Sequence, residues 1–311
     1  MLSDPHGLNP AASLGPSRTA AVISPSIARL KLVPAGLILL WWIHDLSFQW
    51  RSLVEYQYGW IVLMLTGFLV WERLPTCPRD DTPAPLWQGM ILALAGAPFV
   101  ALGELYRIGV ARTPASSMAL SLGVTCFLCA NLLLICGPRT LRHFLFPLAF
   151  FFLAVPIPKI VWNPIVFSLQ SLITAMNVET LNILGIPAVK TGHVIQLPRC
   201  TVGVDEACSG IRSLQSSLMA ALFVGDLTLR RPGWKVVFLV AGVALAVIGN
   251  FFRSLYLSLA ANRGGPEALK AVHDTAGWSV LVFTAVGVVL LAWWLTQAER
   301  RLDPASPPPG R

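Results

Sequence analysis

Long apolar stretches separated by short polar breaks run along most of the chain. Residues 82–103, 113–138, 236–252 and 275–298 contain no Asp, Glu, Lys or Arg. Residues 57–71 and 144–158 are shorter but equally uncharged, and 208–225 carries only Arg212. A helix needs about 20 mostly apolar residues to cross the hydrocarbon core of a bilayer. With 32–43, which needs neighbours such as Leu30 and His44 to span, the pattern predicts eight spanning helices and an all-α, polytopic membrane helix bundle. Two stretches depart from it. Residues 160–178 lack charge but carry Asn163, Ser168, Gln170, Ser171, Thr174 and Asn177, with Ile165, Leu169, Leu172, Ile173 and Met176 at helical spacing. That reads as an amphipathic helix lying in the interface, with a ninth span as the alternative. Residues 190–204 alternate weakly around Leu197-Pro198-Arg199, the signature of a small outward-facing hairpin.

The composition removes other classes. Only 12% of the 311 residues are charged, 55% are hydrophobic, and the mean hydropathy is +0.66. A soluble fold cannot hydrate its exterior with so few charges, and disorder needs the opposite balance. Residues 1–28 and 299–311 read as disordered tails rich in Pro, Ser and Gly, bracketing one transmembrane domain over 29–298; no cleaved signal peptide is expected. The net charge of +8 does not indicate nucleic acid, because the cations lie singly or in pairs between apolar runs. They orient the chain instead. Arg18, Arg29, Lys31, Arg139, Arg142, Arg230, Arg231, Lys235, Arg300 and Arg301 fall on one side, predicting both termini in the cytoplasm. The 156–207 and 253–274 loops then face outward.

The remaining polar groups are few, and three sites gather them. Asp205-Glu206-Ala207-Cys208-Ser209-Gly210-Ile211-Arg212 opens the sixth span, Asn250-Phe251-Phe252-Arg253 nears the end of the seventh, and His273-Asp274 opens the eighth. Opposite running directions place Cys208, Arg253 and His273 at one face. A thiolate is the nucleophilic form of cysteine, and a helix start or nearby cation lowers its pKa. Histidine can take the thiol proton and return one to a leaving amine. Arginine stays protonated, so its role is to hold an oxyanion or a carboxylate. Arg212, one turn after Cys208, can also bias the thiolate; Asp205, Glu206 and Asp274 can orient the imidazole or bind substrate; Asn250 can fix the Arg253 rotamer. Plainer readings exist for each residue alone: a buried apolar cysteine, a snorkelling arginine, a capping histidine. Cys126, Cys129 and Cys136 take the plain reading, and a Cys200–Cys208 disulfide would occupy the nucleophile. No ligand-like spacing suggests a metal, and no cofactor is expected.

These residues resemble a known family. Ala207-Cys208-Ser209-Gly210-Ile211-Arg212-Ser213-Leu214 is similar to the signature of the exosortase/archaeosortase membrane peptidases, and Asn250-x-x-Arg253 and His273-x-x-x-Gly277 are similar to its second and third motifs. The resemblance covers about residues 30–298 and implies a transpeptidase-like cysteine peptidase with Cys208 as nucleophile and Arg253 and His273 as the other catalytic residues. It implies as partners membrane-anchored proteins with a C-terminal sorting signal: a Pro-Glu-Pro-type motif, a transmembrane helix and a basic tail. It also implies residence in a bacterial inner membrane, a periplasmic active site and a link to exopolysaccharide systems. The lipid bilayer is the other expected partner; nothing in the sequence sets the oligomeric state. The rival readings are a polytopic transporter, which would show paired intramembrane carboxylates or broken helices in repeated halves, and a membrane acyltransferase using the same thiol.

Overall fold

The structure, a computed structural model, describes residues 25–78, 84–203 and 211–302, with backbone alone at 25–32 and 212. Its long helices are α1 (Pro25–Ser52), α2 (Gly59–Arg73), α3 (Leu86–Gly109), α4 (Pro114–Cys136), α5 (Pro138–Phe151), α6 (Lys159–Ile183), α7 (Ile211–Thr228) and α8 (Pro232–Leu302). By length and composition α3, α4 and α8 can each cross a membrane. A fourth candidate combines 138–154 with α6, which are bent by 78°. The chain is thus an all-α membrane protein with one small sheet.

α1 begins at Pro25, within the stretch expected as the first tail. At the other end α8 reaches Leu302. The larger difference is at 253–274, expected as a loop. This stretch is helical, and α8 breaks only at Gly265, whose φ of 69° suits a residue without a Cβ. Pro266 then starts the second arm, where its missing N–H costs no helical bond. The polar run Asn262-Arg263-Gly264-Gly265-Pro266-Glu267 therefore marks the tip of a helical hairpin. The two arms fold back on one another: a Cβ on Gly249 would lie 3.1 Å from Phe283, and Gly287 abuts Leu245.

Small residues set the other close approaches, as expected where packing rather than apolar burial joins helices in lipid. Gly89, Gly96 and Gly103 recur every seventh residue on α3 and face Leu134, Gly123 with Cys126, and Leu120 of α4. Around α1 the contacts are polar but satisfied. Trp42 Nε1 donates to Ser121 Oγ at 2.8 Å, Gln49 Nε2 to Ser117 Oγ at 3.2 Å, and Trp50 Nε1 to the Ala154 carbonyl at 2.7 Å. At the opposite end of the bundle Asp226 of α7 accepts from Arg73 of α2 and, at 2.8 Å, from Lys235 of α8. There Glu299 also caps the start of α8, accepting from the backbone N–H groups of Arg230 and Arg231.

Between α6 and α7 lies a three-stranded antiparallel sheet: β1 (Val189–Thr191), β2 (Val194–Gln196) and β3 (Thr201–Gly203), in that order. The sequence pattern predicted two strands; the third arises because the Leu197–Cys200 turn, closed by Leu197 N–H to Cys200 O at 2.9 Å, returns the chain. Ile195 and Val202, paired across β2 and β3, bury against Val178 and Leu181 of α6 and Ala261 of α8. Cys200 Sγ donates to the Ala261 carbonyl at 3.4 Å, and Arg199 to that of Arg263 at 3.0 Å. Sheet and α6 are thereby docked on the hairpin tip.

Candidate active site

Asn250 and Arg253 lie one turn apart on the first arm of α8, and His273 lies on the second. The second arm buries Ala276, Val280, Thr284 and Val288. With His273 and Gly277 these form one helical stripe. Gly277 is where the arms meet at the site: a Cβ there would lie 3.6 Å from Arg253 Nη2. The face that carries His273 is therefore the face that meets the guanidinium, with His273 four residues, about 6 Å, nearer the tip. Arg253 and Gly277 are each twelve positions from Gly265. That sets them about 18 Å of helix below the tip at 1.5 Å per residue, deeper than a helix-end placement predicts. A cavity of about 390 Å³ separates the arms here, lined by Gly249, Arg253, Tyr256, Thr275, Ala276 and Ser279 among others.

His273 is half-buried, and its Nδ1 lies 3.1 Å from Asp274 Oδ1. The Asp274 side chain is 94% exposed, so the contact orients the ring from the water side rather than from a dry interior. Asn250 is the opposite case. It is 1% exposed, and among the described residues neither its amide oxygen nor its amide nitrogen has a hydrogen-bond partner. A buried orphan of this kind costs about 1–3 kcal/mol, and its persistence calls for a reason.

The register of α7 against the first arm shows where that amide stands. A Cβ on Gly225 would lie 2.9 Å from Phe238, and one on Gly242 would lie 3.1 Å from the Ala221 Cβ. Continued two turns along both helices, that register leads to Asn250 on α8 and to Ser213 in the first turn of α7. Cys208, Asp205 and Glu206 precede that turn and lie outside the described residues. Arg212 belongs to the first turn by its backbone, and its side chain is outside what is described. Of the sequence-predicted group, the structure places Asn250 and Arg253 one turn apart on the first arm, and His273 one turn from Gly277, which meets Arg253, with Asp274 beside it at the solvent edge.

Sequence reasoning missed the support for α7. Gln215 Nε2 donates to the Tyr58 hydroxyl at 3.3 Å, and that hydroxyl donates to the Leu153 carbonyl at 3.0 Å. Tyr56, 6.1 Å from Tyr58 between ring centroids, accepts from the backbone N–H of Ile157. Burial pushes the Tyr56 phenol above its ordinary range, so it stays protonated. The Tyr-x-Tyr pair at 56–58 was visible in the sequence, but nothing there tied it to a residue more than 150 positions away. Among the described residues no group of His, Cys, Asp and Glu has the geometry of a metal site.

A family model described as transmembrane exosortase matches residues 50–292. No curated protein and no solved structure matches the chain.

Proposed function

The chain belongs to the transmembrane exosortase family, and we propose that it is a membrane-embedded cysteine transpeptidase processing proteins that carry a C-terminal sorting signal. The observation that carries this reading is the contact face at Gly277, which joins the Arg253 guanidinium to the His273 side of the second arm. Cys208 is the proposed nucleophile. It precedes Ile211 by three residues, so chain length alone keeps it within about 11 Å of the buried start of α7.

In the proposed reaction His273 accepts the Cys208 thiol proton, and the thiolate attacks the scissile carbonyl. The carbonyl electron pair moves onto oxygen, where the Arg253 guanidinium holds it. Collapse breaks the C–N bond, and the imidazolium returns its proton to the leaving amine, which departs with the signal's transmembrane helix. The thioester left on Cys208 is then opened by water or another nucleophile. The Asp274 contact at Nδ1 makes Nε2 the nitrogen that handles the proton. Asn250, opposite the first turn of α7, offers its amide to the substrate main chain, and the segment 205–212 supplies further contacts through Asp205, Glu206 and Arg212.

We place eight spans across a bacterial inner membrane, with α6 in the outer interface. Both termini are then cytoplasmic and the site faces the periplasm. The 78° bend after α5 supports an interfacial α6. Basic residues at the Asp226 end support a cytoplasmic assignment there. The test is cleavage of a co-expressed sorting-signal protein by Cys208→Ala, Arg253→Ala and His273→Ala variants. Each is expected to lose processing while still inserting in the membrane, and normal processing by Cys208→Ala sinks the assignment.

A further inference from the structure

A second and larger cavity, about 830 Å³, opens at the same end of the bundle as the start of α7, where α1, α3, α4 and α6 converge. Its lining includes two cations, Arg112 and Lys159, and one anion, Glu55, giving a formal charge of +1. Arg112 is held between two partners. Its guanidinium stacks 5.1 Å from the Phe48 ring, and its Nε is 3.9 Å from Asp45. Asp45 is already engaged more closely by Arg107, at 3.2 Å, so Arg112 keeps most of its charge for the cavity. Lys159 is exposed and enters no ion pair among the described residues.

The backbone adds to the same sign. Both α4, at Thr113-Pro114-Ala115, and α6, at Pro158-Lys159-Ile160, begin in the cavity wall. Two helix starts contribute partial positive charge there. Tyr56, Tyr106 and Trp162 complete the wall, the residue types that gather at the headgroup level of a bilayer. Ile160 of the wall is 85% exposed, and Ile108 and Val110, in the α3–α4 connection between the lining residues Tyr106 and Arg112, are 82% and 65% exposed, an apolar flank that lies against hydrocarbon in a membrane-embedded chain. A basic, aromatic-walled chamber opening beside an apolar flank is complementary to an amphiphile with an anionic head.

We propose that this cavity binds the phosphate headgroup of an anionic phospholipid, with Arg112 and Lys159 on the phosphate and the acyl chains along Ile108, Val110 and Ile160. A free phosphate shares the head chemistry but leaves the apolar flank uncovered. The site is separate from the peptide chemistry proposed above. It adjoins α7 through Tyr56, which packs on Tyr58, the partner of Gln215. An occupant would thus brace the start of α7.

The test is native mass spectrometry of the full chain in detergent, titrated separately with phosphatidylglycerol, phosphatidylcholine and glycerol phosphate. The intact protein is expected to retain one phosphatidylglycerol at least tenfold more tightly than phosphatidylcholine, with glycerol phosphate failing to compete at millimolar concentration. Arg112→Gln with Lys159→Gln is expected to weaken that binding at least tenfold. Lys159→Gln alone leaves the Arg112–Asp45 contact intact and is expected to weaken it several-fold without lowering the melting temperature. Glu55→Gln is expected to tighten it. Equal retention of the two lipids, unchanged retention by the double variant, or binding of glycerol phosphate alone with lipid-like affinity each overturns the proposal.

Discussion

The Gly277–Arg253 contact permits a graded test. A Cβ at Gly277 would sit 3.6 Å from Arg253 Nη2, an ordinary van der Waals separation. Gly277→Ala therefore adds a methyl without displacing the guanidinium and removes the backbone entropy of a helical glycine, a gain of about 0.5–1 kcal/mol. In a chain of 311 residues that gain raises the melting temperature by about 1–3 °C. Gly277→Val differs because its methyls reach about 1.5 Å beyond the Cβ. A methyl aimed at Nη2 would approach to about 2 Å, well inside contact distance, and in a helix the valine side chain has one strongly preferred rotamer with which to avoid it. The guanidinium must then move by more than 1 Å, a displacement that can cost about 100-fold in rate. The assay pairs thermal unfolding in detergent with the processing of a co-expressed sorting-signal protein. Gly277→Ala is expected to be as active as the parent and slightly more stable, whereas Gly277→Val keeps its fold and loses processing about 100-fold. Full activity in a folded Gly277→Val protein refutes the placement of Arg253 in the catalytic machinery.

Three other outcomes follow from particular contacts. Asn250→Ala removes an amide that is buried without a partner among the described residues; thermal stability is expected to hold or rise while processing falls at least tenfold, and a loss of both would make Asn250 merely structural. Gly96→Leu sets a side chain against the Gly123 carbonyl, 2.8 Å from the Cβ position; since backbone cannot yield, the α3–α4 pair is expected to separate at a cost of about 1–3 kcal/mol, read as a drop in melting temperature. Asp226→Ala leaves Arg73 and Lys235 together beside the Phe146 ring; breaking such a mostly buried pair is expected to destabilise by about 3–5 kcal/mol, with unfolding at lower temperature as the measurement.

Uncharged runs in the sequence locate α3 and α4 closely, because each is a single apolar stretch ended by polar residues. The same logic misreads 253–274. Polarity there reports only that the segment leaves hydrocarbon, and helices continue past that boundary when something covers them, here α6 and the sheet through Ala261. Gly265-Pro266 is the signal that was present: one residue able to take φ 69° followed by one suited to starting a helix. Likewise Pro156 and Pro158 mark the bend before α6, but its 78° angle depends on packing that no local pattern encodes. At the site, helical spacing alone aligns Asn250 with Arg253 and His273 with Gly277. That Arg253 meets Gly277 depends on the tip geometry at Gly265. The unsatisfied state of Asn250 is a tertiary property, legible only once its neighbours are placed.

The central claim is that Cys208 carries the acyl group. The direct measurement is acid quenching of the protein during turnover of a co-expressed sorting-signal substrate, followed by digestion and mass spectrometry of the peptide containing Cys208. The account predicts a mass increase on Cys208 equal to the N-terminal acyl portion of the cleaved substrate, released by hydroxylamine as expected for a thioester. Substrate cleavage with Cys208 unmodified, persisting in Cys208→Ala, would contradict it.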